Sequence, residues 1–158
     1  MINIFLAVVI AILCFLIFKN SKKLKQQALA NAQIEADFLR ANSQVDGVFE
    51  TASGLQYKVV HRSDNETKPS PTSMVNVHYH GTLVDGTVFD SSVERNSPIS
   101  FGLHQVIKGW TEGLQLMSEG DKFTFYIPHQ LAYGEKRVGS IPPASLLIFE
   151  VELLKIES

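Results

Sequence analysis

Few residues in this chain have the types and spacing that bond-breaking chemistry needs. His78 and His80 share one face of an alternating stretch, but no third ligand stands at a recognisable spacing. The five histidines are therefore expected to hold no metal. Asp85, Glu94, Glu112 and Asp121 show no paired-carboxylate arrangement, and no glycine-rich phosphate loop follows a strand. The single cysteine, Cys14, excludes an internal disulfide framework and a cysteine-based zinc site. No cofactor is expected. What remains is a binding chemistry centred on Val106-Ile107-Lys108-Gly109-Trp110. Trp110 is the only tryptophan, and with Leu114 and Met117 it falls at helical spacing i, i+4, i+7. Gly109 and Gly113 would each weaken a solvent-facing helix by roughly 1 kcal/mol relative to alanine. A helix that carries both is expected to be held by packing, the glycines admitting something close. Trp110 is thus read as the floor of an apolar pocket whose walls come from the strands before and after it.

Those strands are legible from alternation. Residues 55–60 alternate in part, and residues 61–73, polar with Pro69 and Pro71, read as a loop. Val75, Val77 and Tyr79 alternate with Asn76, His78 and His80, a half-buried strand with the tyrosine on its apolar face. Asp85-Gly86 is a turn signal, and residues 87–90 return as the next strand. Residues 91–98 form a charged loop and 99–101 a short edge strand. Lys122 to Ile127 alternates through Phe123, Phe125 and Ile127. Residues 129–145, with Gly134, Gly139, Pro142 and Pro143, form a long loop before a last strand over 146–156. A sheet needs its apolar face covered, and the only cover on offer is the Trp110 helix. The expected fold is α+β: an antiparallel sheet of five or six strands wrapped around one short helix.

The amino terminus has a different composition. Residues 2–18 are apolar apart from Asn3 and carry no charge. As a helix they reach roughly 25 Å, and Lys19 can extend toward lipid headgroups. No basic residue precedes them and no small-residue cleavage site follows, so residues 1–19 read as an uncleaved transmembrane anchor in a lipid bilayer. Lys19, Lys22, Lys23 and Lys25 favour the cytoplasmic side for the rest of the chain. Residues 20–46, rich in good helix formers, read as a helical stalk that either pairs with a second copy, guides substrate or serves as a solvated spacer. Residues 44–54 read as linker, and residues 47–158 as the globular domain. A net charge of −2 gives no electrostatic case for nucleic acid.

Taken in order, residues 75–81, Asp85-Gly86-Thr87-Val88-Phe89-Asp90-Ser91-Ser92, Val106-Ile107-Lys108-Gly109-Trp110, Leu131-Ala132-Tyr133-Gly134, Ile141-Pro142-Pro143 and Leu147-Ile148-Phe149-Glu150-Val151-Glu152-Leu153 resemble the FK506-binding protein (FKBP) family of peptidyl-prolyl cis-trans isomerases. Thr51-Ala52-Ser53-Gly54-Leu55-Gln56-Tyr57, after a helical extension, resembles the bacterial branch that includes macrophage-infectivity-potentiator proteins. In that branch the extension commonly dimerises. The resemblance implies Trp110 as pocket floor and Tyr79, Phe89, Val106, Ile107, Tyr133 and Phe149 as walls. It implies Asp90 at the rim close to Tyr79 and Arg95, and the Ile107 N–H and Tyr133 hydroxyl as donors to substrate carbonyls. Phe101 would line the pocket and Ile141 would overhang its mouth. Ile99 stands where the family often has an aromatic residue, which makes one wall less flat.

Two functions follow from this resemblance. The first is a prolyl isomerase acting on proline-containing unfolded or flexible protein segments and blocked by macrolides of the FK506/rapamycin class. The second is a proline-peptide-binding chaperone or scaffold module with little turnover. Individually, Trp110, Phe89 and Phe149 would pass for core residues and Asp90 for a turn carboxylate. Only their joint spacing assigns them to a site.

Overall fold

The computed structural model describes residues 2–157, the side chains of residues 2–8 and 11 excepted. The alternation around Tyr79 produces the strand that pairs with three others, β3 (Met74–Thr82), with Val75, Val77 and Tyr79 turned into the core. Along one edge β3 pairs antiparallel with β7 (Leu147–Glu157) over its whole length. Along the other it pairs with two strands in turn: β5 (Ile99–Gly102) beside Met74 to Val77, and β4 (Val88–Ser91) beside His80 to Thr82. The chain crosses from one to the other opposite Tyr79, whose carbonyl accepts the Ser92 N–H at 3.0 Å. On the far side of β7 come β6 (Lys122–Ile127), β2 (Gln56–His61) and β1 (Val48–Glu50).

The sheet therefore has seven antiparallel strands, not five or six. The extra one is β1, inside the stretch expected to be linker. Three residues are too few for alternation to announce a strand. It is held instead by Phe49 stacking on Tyr57 at 5.4 Å, and by Tyr57 stacking on Phe123 at 5.7 Å.

The apolar face is covered by α2 (Lys108–Leu114). Gly109 lies against Ile127 and Gly113 against Phe125, both on β6. A Cβ at Gly113 would stand 2.7 Å from Phe125 Cε1, so the two glycines let the helix axis drop onto the sheet. Leu114 and Met117 then reach the middle of the core beside Phe123, Phe125 and Leu147. The Thr111 hydroxyl donates to the Leu103 carbonyl at 2.6 Å and fixes the approach from β5.

The amino-terminal quarter overturns one expectation. A single helix, α1, runs Ile2–Asn42 without a break at Lys19. Among the described residues no helix is long and apolar enough to cross a membrane. The expected anchor over residues 1–19 is corrected accordingly, and with it the placement of the domain on the cytoplasmic side of a bilayer. Part of that stretch, Met1 and the side chains of residues 2–8 and 11, lies outside the described residues. The physical reason is length. The uncharged run ends at Phe18, and the continuing helix carries Lys19, Lys22, Lys23 and Lys25. At seventeen residues, about 25 Å of helix, the run stands at the short limit for the roughly 30 Å hydrocarbon core, and the helix does not end there but continues into charged turns.

Further along, α1 lies on the domain. Leu24, Ala28, Asn31, Glu35, Phe38 and Asn42 face inward at intervals of three and four, with Gln27 beside them. Phe38 meets Tyr126 at 5.8 Å, and Asn42 Nδ2 donates to Gln56 Oε1 at 2.9 Å.

The close contact of α2 with β6 can be tested. Gly113→Ala gains about 1 kcal/mol of helix propensity but overpacks a fully buried ring at the upper end of the usual cost of about 1–3 kcal/mol, and is expected to lose about 1–2 kcal/mol net in urea unfolding. An unchanged or raised urea midpoint would show that the helix does not depend on this approach.

Candidate active site

Because α2 sits low on the sheet, Trp110 stands upright at its start and becomes the hub of an aromatic cluster. Tyr79 from β3 meets it edge-on at 5.3 Å and 83°. Phe149 from β7 does so at 5.0 Å and 83°. Phe101 from β5 packs against it at 5.2 Å, and Phe89 from β4 meets Phe149 edge-on at 5.3 Å. The three edge-on geometries set the positive edge of one ring on the negative face of another, which fixes ring orientation as well as burying area. Trp110 is 5% exposed, and its Nε1–H is buried without a hydrogen-bond partner among the described residues. The rings do not close over it. They form the floor and walls of an open cavity of about 650 Å³, within the size range of small-ligand sites.

One wall carries charge. Asp90 on β4 accepts hydrogen bonds from the Tyr79 hydroxyl and from Arg95 Nη1, and Arg95 Nη2 donates to the Tyr79 oxygen at 3.1 Å. The three groups form a closed triangle at the rim. Partial burial pushes the Asp90 carboxyl upward, but the Tyr79 and Arg95 hydrogen bonds outweigh it and hold the group below its ordinary 3.8. Tyr79 moves the other way. Burial, then the hydrogen bond to the Asp90 carboxylate, raise its phenol above the ordinary 10.0. At neutral pH the rim is thus a neutral phenol donating to a carboxylate that a guanidinium compensates.

The mouth is built by two connections. Between β5 and α2 a short 3₁₀ turn delivers Gln105, Val106 and Ile107 to the cavity. Ile107 precedes the helix, so its carbonyl takes the Trp110 and Thr111 N–H groups at 3.0 and 3.1 Å while its own N–H lies outside the helical ladder. Between β6 and β7, residues 128–146 supply Tyr133, 40% exposed, and the turn Val138–Ile141 that overhangs the opening.

Every sequence-predicted site residue except Arg95 lines this cavity: Tyr79, Phe89, Asp90, Ile99, Phe101, Val106, Ile107, Trp110, Tyr133, Ile141 and Phe149. Arg95 lies just outside, against Asp90. Sequence reasoning missed Gln105, Val138, Gly139 and Ser140. Gly139-Ser140 is a turn signal that could have marked the overhang. Gln105 carries no such signal. His78 and His80 lie outside the cavity, their Nδ1 atoms facing Ser92 Oγ at 3.0 Å and Ser91 Oγ at 2.9 Å. Those serines brace the crossover that carries Asp90.

Known proteins resemble this chain in sequence and fold. The family model for the FKBP-type peptidyl-prolyl cis-trans isomerase matches residues 65–154. The model for the domain amino-terminal to that isomerase matches residues 12–59, so the end of the run expected to be an anchor falls within it. The chain is 52% identical over 135 residues to the FKBP-type peptidyl-prolyl cis-trans isomerase FkpA of Aeromonas hydrophila, covering 85% of this chain and 50% of that one. It is 41% identical over 143 residues to the outer membrane protein MIP of Legionella longbeachae, covering 90% and 61%. The crystal structure of FkpA from Escherichia coli superposes with a TM-score of 0.91 at 37% identity, covering 95% of this chain and 70% of that one. The chain spans about half the length of the first curated relatives it matches. With the isomerase model matched over more than half of the chain, the amino-terminal model matched before it and these relatives alike in sequence and fold, the chain belongs to the FKBP-type peptidyl-prolyl cis-trans isomerase family, in its FkpA- and Mip-like branch.

Proposed function

We propose that this chain is a peptidyl-prolyl cis-trans isomerase acting on proline-containing segments of unfolded or flexible proteins, and that it assists their folding. The observation that carries this reading is the open aromatic cavity of about 650 Å³, which the protein's own side chains leave unfilled. A proline ring is a flat, apolar object of the size that an edge-on aromatic cluster admits. Trp110 is its floor, with Tyr79, Phe89, Phe101 and Phe149 around it. The Ile107 N–H and the Tyr133 hydroxyl donate to substrate carbonyls, and Ile99, Val106 and Ile141 enclose the flanking chain.

The reaction asks for little else. Rotation about an X–Pro bond crosses a barrier of about 18–20 kcal/mol because it breaks amide resonance, and uncatalysed it takes tens to hundreds of seconds. No σ bond is made or broken, so neither nucleophile nor metal is needed. The twisted amide has lost resonance, and its charge separation is smaller than that of the planar form. A water-poor apolar site therefore destabilises the planar ground state more than the twisted one, which is differential binding of the transition state. Fixed donors at Ile107 and Tyr133 hold the flanking carbonyls while the bond turns. Lowering the barrier by about 5–6 kcal/mol corresponds to roughly 10⁴-fold acceleration. Asp90 acts indirectly, by holding the Tyr79 ring that forms one wall.

The extension has its own reading. Phe15, Leu16, Ile17, Phe18 and Leu29 on α1 are large apolar side chains 53–68% exposed, which supports pairing with a second copy. Sedimentation at micromolar concentration is expected to show a dimer, and a monomer throughout would remove this reading.

The enzyme is tested with a protease-coupled proline tetrapeptide, where a macrolide of the FK506 class should abolish rapid isomerisation. Tight peptide binding without acceleration would select a binding module instead. Tyr133→Phe removes a hydrogen bond worth about 0.5–1.5 kcal/mol, so kcat/KM should fall about two- to tenfold. Asp90→Ala leaves the Tyr79 hydroxyl without its acceptor and should cost about tenfold in kcat/KM in protein that remains folded. Wild-type rates in both folded variants would refute these roles.

The rim also sets a pH window. The depressed Asp90 contributes stability above the ordinary carboxyl value of 3.8, lost as pH falls through its lower folded value. The raised Tyr79 contributes below 10.0, lost as pH rises through its higher folded value. Activity is expected to be flat between about pH 5 and 9. A titration in kcat/KM near neutrality would contradict the assignment.

A further inference from the structure

One side of the cavity is made by a long connection rather than by the sheet. Residues 128–146 bring Tyr133, Val138, Gly139, Ser140 and Ile141 to the mouth. The segment bonds mainly to itself. The His129 carbonyl takes the N–H groups of Ala132 and Gly134, Val138 pairs with Ile141, and Ala144 donates to the Gly134 carbonyl at 2.9 Å. Ala144 is held at φ 51°, a left-handed conformation that a side chain resists. Such a loop keeps one shape only if something rigid grips it from outside.

Helix α1 supplies three grips, one turn apart. Glu35, 5% exposed, accepts the His129 N–H through Oε2 at 2.8 Å and the His129 Nδ1–H through Oε1 at 2.8 Å. Asn31 Nδ2 donates to the Pro143 carbonyl at 2.8 Å. Gln27 Oε1 accepts from Arg137 Nη2 at 3.2 Å. Residues 27, 31 and 35 fall at i, i+4 and i+8 on one helical stripe. They take the beginning, the tip and the end of the loop. A buried carboxylate on an exposed-type residue is costly unless it is paired and hydrogen-bonded, and here both its oxygens are used on one residue of the loop.

We propose that Glu35 and Asn31 are positioning residues of the isomerase site. They touch no substrate. They hold residues 128–146 in the one conformation that presents the Tyr133 hydroxyl and the Ile141 overhang to the cavity. The helical extension is by this account part of the working pocket and not only an appendage to it. The proposal rests on reading the cavity as an isomerase site.

The test uses the full chain and the variants Glu35→Ala, Asn31→Ala and Glu35→Gln. Amide hydrogen exchange reports the loop directly, and tetrapeptide kinetics report the site. In both alanine variants, exchange over 129–146 should quicken about tenfold or more while β3, β6 and β7 keep their protection. KM should rise about five- to tenfold with kcat changed less than about twofold, since the lost element orients bound peptide. Glu35→Gln, whose amide oxygen still accepts the His129 N–H, should recover most of the KM. Two results would overturn the proposal. One is folded Glu35→Ala with wild-type loop exchange and KM. The other is protection lost equally across the sheet, which marks a merely structural contact. If the wild-type chain shows no isomerisation, the isomerase reading fails by itself, while loop exchange still decides whether α1 holds the loop.

Discussion

The low seat of α2 on the sheet is the constraint from which the rest follows. Gly109 and Gly113 remove the two side chains that would hold the helix off Ile127 and Phe125. The helix drops by the width of a methyl group, and Trp110 is thereby set against the paired strands β3 and β7. Tyr79 and Phe149 can meet it edge-on only because it stands at that height. A helix seated higher would bury these rings as an ordinary core or close the cavity with its own side chains. The same two residues that are poor helix formers in isolation are thus what makes the site.

Around this hub the polar groups are arranged to keep aromatic surfaces in place. Asp90 and Arg95 hold the Tyr79 hydroxyl, so the ring cannot rotate away from Trp110. Ser91 and Ser92 brace the crossover on which Asp90 rides, and His78 and His80 are hydrogen-bonded to those serines. A reaction that breaks no covalent bond needs shape and dryness more than reactive groups. The charged residues here serve shape.

The two families of contact also explain why the chain needs both its parts. The sheet and α2 define the floor and three walls, whereas the last wall belongs to a segment with no place in the sheet. Glu35 and Asn31 connect that segment to α1 at its first and last turns. The extension and the isomerase fold are in this sense continuous, with the inward stripe of α1 passing from Gln27 to Asn42 over the ends of β6 and β2.

What the sequence determined by itself was the periodic part. Alternation in β3, β6 and β7 and the helical spacing of Trp110, Leu114 and Met117 follow from local geometry, so strands, helix and most of the cavity lining could be read in order. Strand β1 could not, because three residues carry no period and are held only by Phe49 stacking on Tyr57. The apolar run at the amino terminus misled for a related reason. Hydrophobicity alone does not make a membrane span, and the run is short and continuous with a charged helix whose later turns lie on the domain. Glu35, Asn31 and Gln27 gave no signal at all, since polar residues on a helix read as solvent-facing until a distant loop is folded against them. Their partners lie about a hundred residues away, and only the tertiary structure brings a buried carboxylate to the N–H it satisfies.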